Sequence, residues 1–126
     1  MHKSKLAGFI IDCKSDDLRS AATFWSAALG MATHELPGEE GKKYTKLTDP
    51  ESLLDIEVQV VDHESRVHLD IETDDIEAEV QRLEKLGAKR LARIQSWWVM
   101  QAPTGQKFCV VRVHDEDFAK RARSWD

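Results

Sequence analysis

Only two cysteines occur in the 126 residues, Cys13 and Cys109, each inside an apolar stretch and without CxxC spacing. That pattern excludes a disulfide framework or a zinc ribbon and leaves two buried free thiols as the expectation. Positive charge is also short. The chain carries a formal net charge of -5, whereas nucleic-acid affinity rests on Lys and Arg neutralising phosphates. The one basic run, KRAR at 120–123, reads as a solvated tail. No apolar segment approaches the length of a membrane span, and the apolar part of MHKSKLAGFIID is too short for a secretory leader. A cytoplasmic protein with neither nucleic-acid nor membrane partners is therefore expected. GxGxxG, P-loop and Ser-His-Asp arrangements are missing as well. What is present, 41% hydrophobic and 33% charged residues, is enough for one core under a soluble surface.

The chain also contains a repeat. DCKSDDLRSAATFWSAALG at 12–30 aligns with DIETDDIEAEVQRLEKLG at 70–87. Asp12, Ser15, Asp16, Asp17 and Leu18 match Asp70, Thr73, Asp74, Asp75 and Ile76 at an offset of 58 (70 − 12). Leu29 and Gly30 then match Leu86 and Gly87 at an offset of 57 (86 − 29), so the second copy has lost one residue within its helix. Each copy follows the same local logic. A hydroxyl residue and two aspartates cap orphan N–H groups and set negative charge at the positive end of a helix dipole. The glycines then end the helices in the left-handed conformation. In the second copy Ile76, Val80 and Leu83 form one apolar stripe, and Glu77, Glu79, Gln81, Arg82, Glu84 and Lys85 fill the remaining, solvated face.

After each helix the period changes to two. Strands are expected near 31–36, 43–48 and 53–61, and again near 89–94, 97–101 and 107–113, separated by PGEEG, TDPE and APTGQ turn signals. A strand precedes each helix. In RVHLDIETDD, at 66–75, Val67, Leu69 and Ile71 are expected in the core and His68 and Asp70 on the opposite, polar face. In LLDIEVQVV, at 53–61, Leu54, Ile56, Val58 and Val60 alternate in the same way with Asp55, Glu57 and Gln59.

The segments FIIDCKSDDLRSAATFWSAALGM, RVHLDIETDDIEAEVQRLEKLGA and WWVMQAPTGQKFCVV resemble the glyoxalase, bleomycin-resistance and extradiol dioxygenase superfamily, specifically its glyoxalase-like domains, over residues 7–113. The resemblance implies an α+β domain of two βαβββ modules, 7–61 and 66–113, followed by a tail at 114–126. Their sheets would form a curled mixed sheet around a central cavity, with the helices outside. It also implies a small-molecule ligand and a homodimer.

Metal-dependent relatives take ligands from the first and last strands of the two modules. By that resemblance His68 stands at a ligand position, and a neutral imidazole suits zinc, nickel, manganese or iron. Its repeat mate is Ile10 (68 − 58), which has no lone pair, and the GNEF of metal-binding relatives is replaced by GQKF, which places Lys107 at the glutamate position. Glu57 and Gln59 remain as the oxygen donors, so that a metal, if held, would use His68 and Glu57. This is fewer than the three protein ligands of a catalytic site. The expectation is accordingly a module that binds a small polar molecule without a catalytic metal, with a divalent-metal lyase or isomerase as the alternative. His68 and Asp70 form the candidate acid–base pair, and Glu57, Gln59, Lys107 and one of Trp97 and Trp98 are candidate ligand contacts. Trp25 and Phe24 are expected to plug the core, and His2, His34, His63 and His114 to face solvent.

Overall fold

A computed structural model describes all 126 residues, Met1–Asp126. The chain divides into two compact units, Gly8–Val67 and Met1–Ala7 with His68–Asp126, so the first strand contributes to both. Each unit contains the strand–helix–three-strand order read from the repeat, and the fold is α+β.

In the unit Gly8–Val67, β1 (His2–Lys14) leads into α1 (Leu18–Leu29), then β2 (Ala32–Glu35), β3 (Tyr44–Thr48) and β4 (Asp55–Val61). β4 runs parallel to β1, and β3 and β2 add antiparallel, giving the order β2-β3-β4-β1. The aspartate cap forms as expected. Asp17 accepts hydrogen bonds from the Ser20 hydroxyl (2.7 Å) and the Ser20 N–H (3.1 Å), and these hold its carboxyl below the usual range. Gly30, at φ 69°, ends the helix. Alternation along β1, β3 and β4 places Ile11, Leu47, Ile56 and Val58 in one core with Met31, against which Trp25 packs. The FW pair is split by helical geometry, however, since Phe24 is 61% exposed and meets Trp25 only edge-on at 5.0 Å. Between β2 and β3 the PGEEG turn winds into a single 3-10 segment, Gly38–Lys42.

In the other unit, β5 (Arg66–Thr73), whose first two residues belong to Gly8–Val67, is followed by α2 (Ile76–Lys85), β6 (Lys89–Ile94), β7 (Trp97–Gln101) and β8 (Lys107–Arg112). β8 is parallel to β5, and β7 and β6 follow antiparallel. Asp75 caps α2 by accepting from the Ala78 N–H at 3.1 Å. The α2 stripe of Val80 and Leu83 closes over Met100 and Val110, with Ile71, Ile76, Trp98 and Phe108 around them.

Three features of this unit depart from the sequence reading. Val67 and Leu69 are 59% and 50% exposed rather than core. A ten-residue helix is about 15 Å long and an eight-residue strand about 26 Å, so α2 covers Ile71 but leaves the start of β5 bare. The segment 114–126 is built into the unit. It forms α3 (Phe118–Arg121) and β9 (Arg123–Trp125), which pairs antiparallel with the first residues of β1, His2 opposite Trp125. Its basic heads stay exposed. Lastly, His2 is buried rather than solvent-facing, because its ring meets the Glu79 carboxylate at 2.8 Å. His34, His63 and His114 are exposed.

Candidate functional site

The sheet formed by β5, β8, β7 and β6 has α2 on one face. Residues in register point to the same side of a sheet and alternate along each strand. Ile71, Val110 and Trp98 occupy the α2 side, and Asp70, Cys109 and Val99, paired across β5, β8 and β7, occupy the other. His68 and Trp97, each two residues from a member of that row, share its side, as does Lys107.

His68 Nε2 stands 3.5 Å from Asp70 Oδ1, and the two side chains are 12% and 20% exposed. The thiol of Cys109, which is buried, belongs to the same cluster: one donor atom each from His68, Asp70 and Cys109 lies within 4.8 Å of the others. Next along β5 the carboxylate of Glu72 is buried. It pairs with Lys5 Nζ at 3.4 Å and accepts from the His114 N–H at 3.2 Å. Lys5 also reaches Asp115 at 3.1 Å. Hydrogen bonding from the Asp117 N–H, then Lys5 and Arg121, holds Asp115 below the usual carboxylate range. A separate open groove of about 460 Å³ at the start of α2, lined by Thr73, Asp74, Ile76, Arg112 and Val113, includes none of the three clustered residues.

The sequence-predicted residues distribute as follows. His68 and Asp70 come together; Lys107 shares their side of the sheet but is exposed. Trp97 and Trp98 point to opposite faces, and Trp98 joins the α2 core with the Arg90 guanidinium 5.1 Å from its ring. Glu57 and Gln59 lie on the polar face of the other unit's sheet. There Glu57 is in register with Ile10 and Lys46, and Gln59 donates its amide N–H to the Tyr44 hydroxyl oxygen at 2.8 Å. On that sheet Asp12 is buried with Arg66 Nε at 3.5 Å, and Lys46 pairs with Asp55 at 3.3 Å. Cys13 is partly buried and lies on the α1 side, where burial pushes its thiol up.

Cys109 is the buried free thiol that the sequence leads one to expect, and the alternation that brings Lys107 to the polar face carries Cys109, two residues later, to the same face, a placement that the sequence reading leaves out. As for the metal of metal-dependent relatives, the two positions besides His68 that the resemblance marks for ligands provide none. Ile10 is a hydrocarbon only 3% exposed, and Lys107 ends in an ammonium. The nitrogen, oxygen and sulfur donors that do converge are those of His68, Asp70 and Cys109. An imidazole beside a carboxylate can exchange protons with a bound molecule, and the adjoining thiol adds a soft donor.

Among curated protein sequences none matches the chain. Solved structures do. A hypothetical protein from Bacillus halodurans C-125 superposes with a TM-score of 0.64 at 13% identity, covering 90% of this chain and 96% of that one. Methylmalonyl-CoA epimerase from Mycobacterium tuberculosis gives 0.57 at 18%, covering 90% and 91%. The Mn(II)-bound glyoxalase from Novosphingobium aromaticivorans gives 0.60 at 12%, covering 89% of this chain and 40% of that one. At these identities the likeness is one of fold. The family model of the glyoxalase-like domain matches residues 8–111, and with the two βαβββ units in place the chain belongs to that family.

Proposed function

We propose that the chain is a small-molecule-binding domain that holds a polar molecule against the β5–β8–β7 face, with His68 and Asp70 as its central hydrogen-bonding and proton-exchanging pair. The observation that carries this reading is the pair itself: an imidazole and a carboxylate 3.5 Å apart, both largely withdrawn from solvent. An imidazole and a carboxylate can donate to and accept from the hydroxyl or carboxyl oxygens of a small polar ligand. Trp97 on the same face offers a ring for a planar ligand to stack on. Lys107, two residues before Cys109, offers positive charge to an anionic one. Neither Ile10 nor Lys107, at the metal-ligand positions of relatives, serves as a metal ligand in this reading. By likeness to relatives the domain is also a homodimer, which sedimentation would register as twice the 14.4 kDa monomer mass.

The test is a thermal-shift screen of small carboxylic acids, hydroxy acids and catechols. A ligand at a hundred times its Kd stabilises the folded state by about 2.7 kcal/mol, roughly a 10 °C rise for a domain of this size. We expect at least one class to raise the melting temperature of the wild-type protein but not of His68→Ala or Asp70→Ala. A screen without any shift, or shifts of equal size in His68→Ala, would reject the assignment.

A metal-assisted lyase or isomerase is the second reading. It is favoured by one observation, the convergence of three different donor atoms at His68, Asp70 and Cys109.

A further inference from the structure

We infer that His68, Asp70 and Cys109 form a binding centre for one thiophilic divalent cation of the zinc type. This inference rests on the reading of the β5–β8–β7 face as the binding face and names the cofactor that face accepts.

A tetrahedral ion bound at about 2.0–2.3 Å holds its donors about 3.3–3.5 Å from one another. The His68 Nε2–Asp70 Oδ1 separation is 3.5 Å, already the edge of such a tetrahedron. The Cys109 sulfur completes a triangle no wider than 4.8 Å, so closing it needs a movement of about an ångström, within the reach of side-chain torsions alone.

The scaffold is rigid where it matters. Asp70 and Cys109 sit opposite each other on the paired strands β5 and β8, and His68 precedes Asp70 by one pleat on the same strand. Backbone hydrogen bonding therefore fixes the three Cα positions before any ion arrives, and the ion has no chain-ordering cost to overcome.

The donor chemistry then selects the ion. A thiolate with an imidazole and one carboxylate suits zinc or cobalt, whereas calcium, magnesium and manganese prefer sets built of oxygen. Binding converts the Cys109 thiol to a thiolate, and its proton passes to solvent. Three protein ligands leave the fourth position to water or to an oxygen of the bound molecule, the pattern of zinc sites that do chemistry.

Relative to the ligand positions that the resemblance marks, His68 is retained while the other donors lie one pleat further along: Asp70 after His68 on β5, and Cys109 after Lys107 on β8. The hydrocarbon of Ile10 and the ammonium of Lys107 are thereby accounted for, because this centre uses neither.

Cobalt is the probe. The full-length chain is stripped with chelator, dialysed and titrated with Co(II), then with Zn(II). We expect one equivalent of cobalt, a near-ultraviolet thiolate-to-cobalt absorption band, and stoichiometric displacement of that band by zinc. The band is lost in Cys109→Ser and retained in Cys13→Ser. Cobalt affinity falls at least tenfold in Asp70→Asn, given that even outer-shell partners of metal ligands are worth about 10–100-fold. Circular dichroism and apo melting temperature show that each variant is folded; Cys109→Ala replaces Cys109→Ser if the serine disturbs the core. No band, substoichiometric cobalt, or a band that survives in Cys109→Ser overturns the inference. If cobalt fails while small acids still raise the melting temperature through His68, this inference falls and the binding function stands. If cobalt binds and no small molecule does, the reverse holds.

Discussion

Replacing Glu79 with alanine removes the most deeply buried charge of the unit Met1–Ala7 with His68–Asp126, and the cost can be worked from its surroundings. Its side chain has no solvent exposure. It accepts two hydrogen bonds from Arg82, Nε to Oε1 and Nη2 to Oε2, both at 2.8 Å, and one contact from the His2 ring at 2.8 Å. Burial alone would raise the Glu79 carboxyl, but the bonds from Arg82, His2 and Ser4 outweigh it and hold the group below its ordinary value. Removing one partner of a buried ion pair costs about 3–5 kcal/mol, because the other charge loses its compensation. Arg82 keeps 24% of its side-chain exposure, so the low end applies, about 3 kcal/mol. For a domain of this size that is a fall of roughly 10–15 °C in Tm. Urea denaturation followed by tryptophan fluorescence measures it. A loss under about 1 kcal/mol, the worth of a surface pair, would refute the claim that Glu79 is a buried anchor. The pH dependence has a definite sign. Because the folded-state pKa is depressed, the contribution is present in full above the unfolded value of about 4.3 and is lost as pH falls through the folded value. The gap between wild type and Glu79→Ala should therefore close below about pH 4.

Two further substitutions probe the frame. In Gly8→Ala the new Cβ would sit 1.8 Å from the backbone oxygen of Asp55, so β1 and β4 must part locally. We expect a loss of about 1–3 kcal/mol by chemical denaturation, and no loss would show that the close approach is slack. Trp125 lies under the Arg82 guanidinium at 3.9 Å and donates its indole N–H to the Ser4 hydroxyl oxygen at 2.9 Å. Trp125→Ala should cost about 1–2 kcal/mol and expose β9 to carboxypeptidase; digestion at the wild-type rate would contradict the anchoring.

Most of the frame was legible because it is local. Aspartate caps, glycine stops and changes of period are written in neighbouring residues, and α1, α2 and the six strands that follow them lie where those signals put them. Packing between distant segments was not. Glu79 and Arg82 belong to a helix face that periodicity assigns to water, yet His2, Ser4 and Trp125 from the two ends of the chain close over it. The bare start of β5 was missed for a related reason, since alternation shows which residues share a face but not how far a helix reaches along it. At the candidate site the polar face itself was readable, and His68 and Asp70 stand together on it. Cys109 lies within reach of the same alternation, but cysteine counts as a small hydrophobe in a pattern of apolar residues, which hides the side of β8 it occupies.

The metal centre turns on His68 as a ligand, and one spectrum addresses that directly. A long-range ¹H–¹⁵N correlation resolves the imidazole nitrogens of the five histidines while Zn(II) is titrated into the chelator-stripped full-length protein. The prediction is that the His68 ring nitrogens shift and saturate at one equivalent, with His2, His34, His63 and His114 unmoved. A silent His68, or saturation at one of the exposed histidines instead, would contradict it.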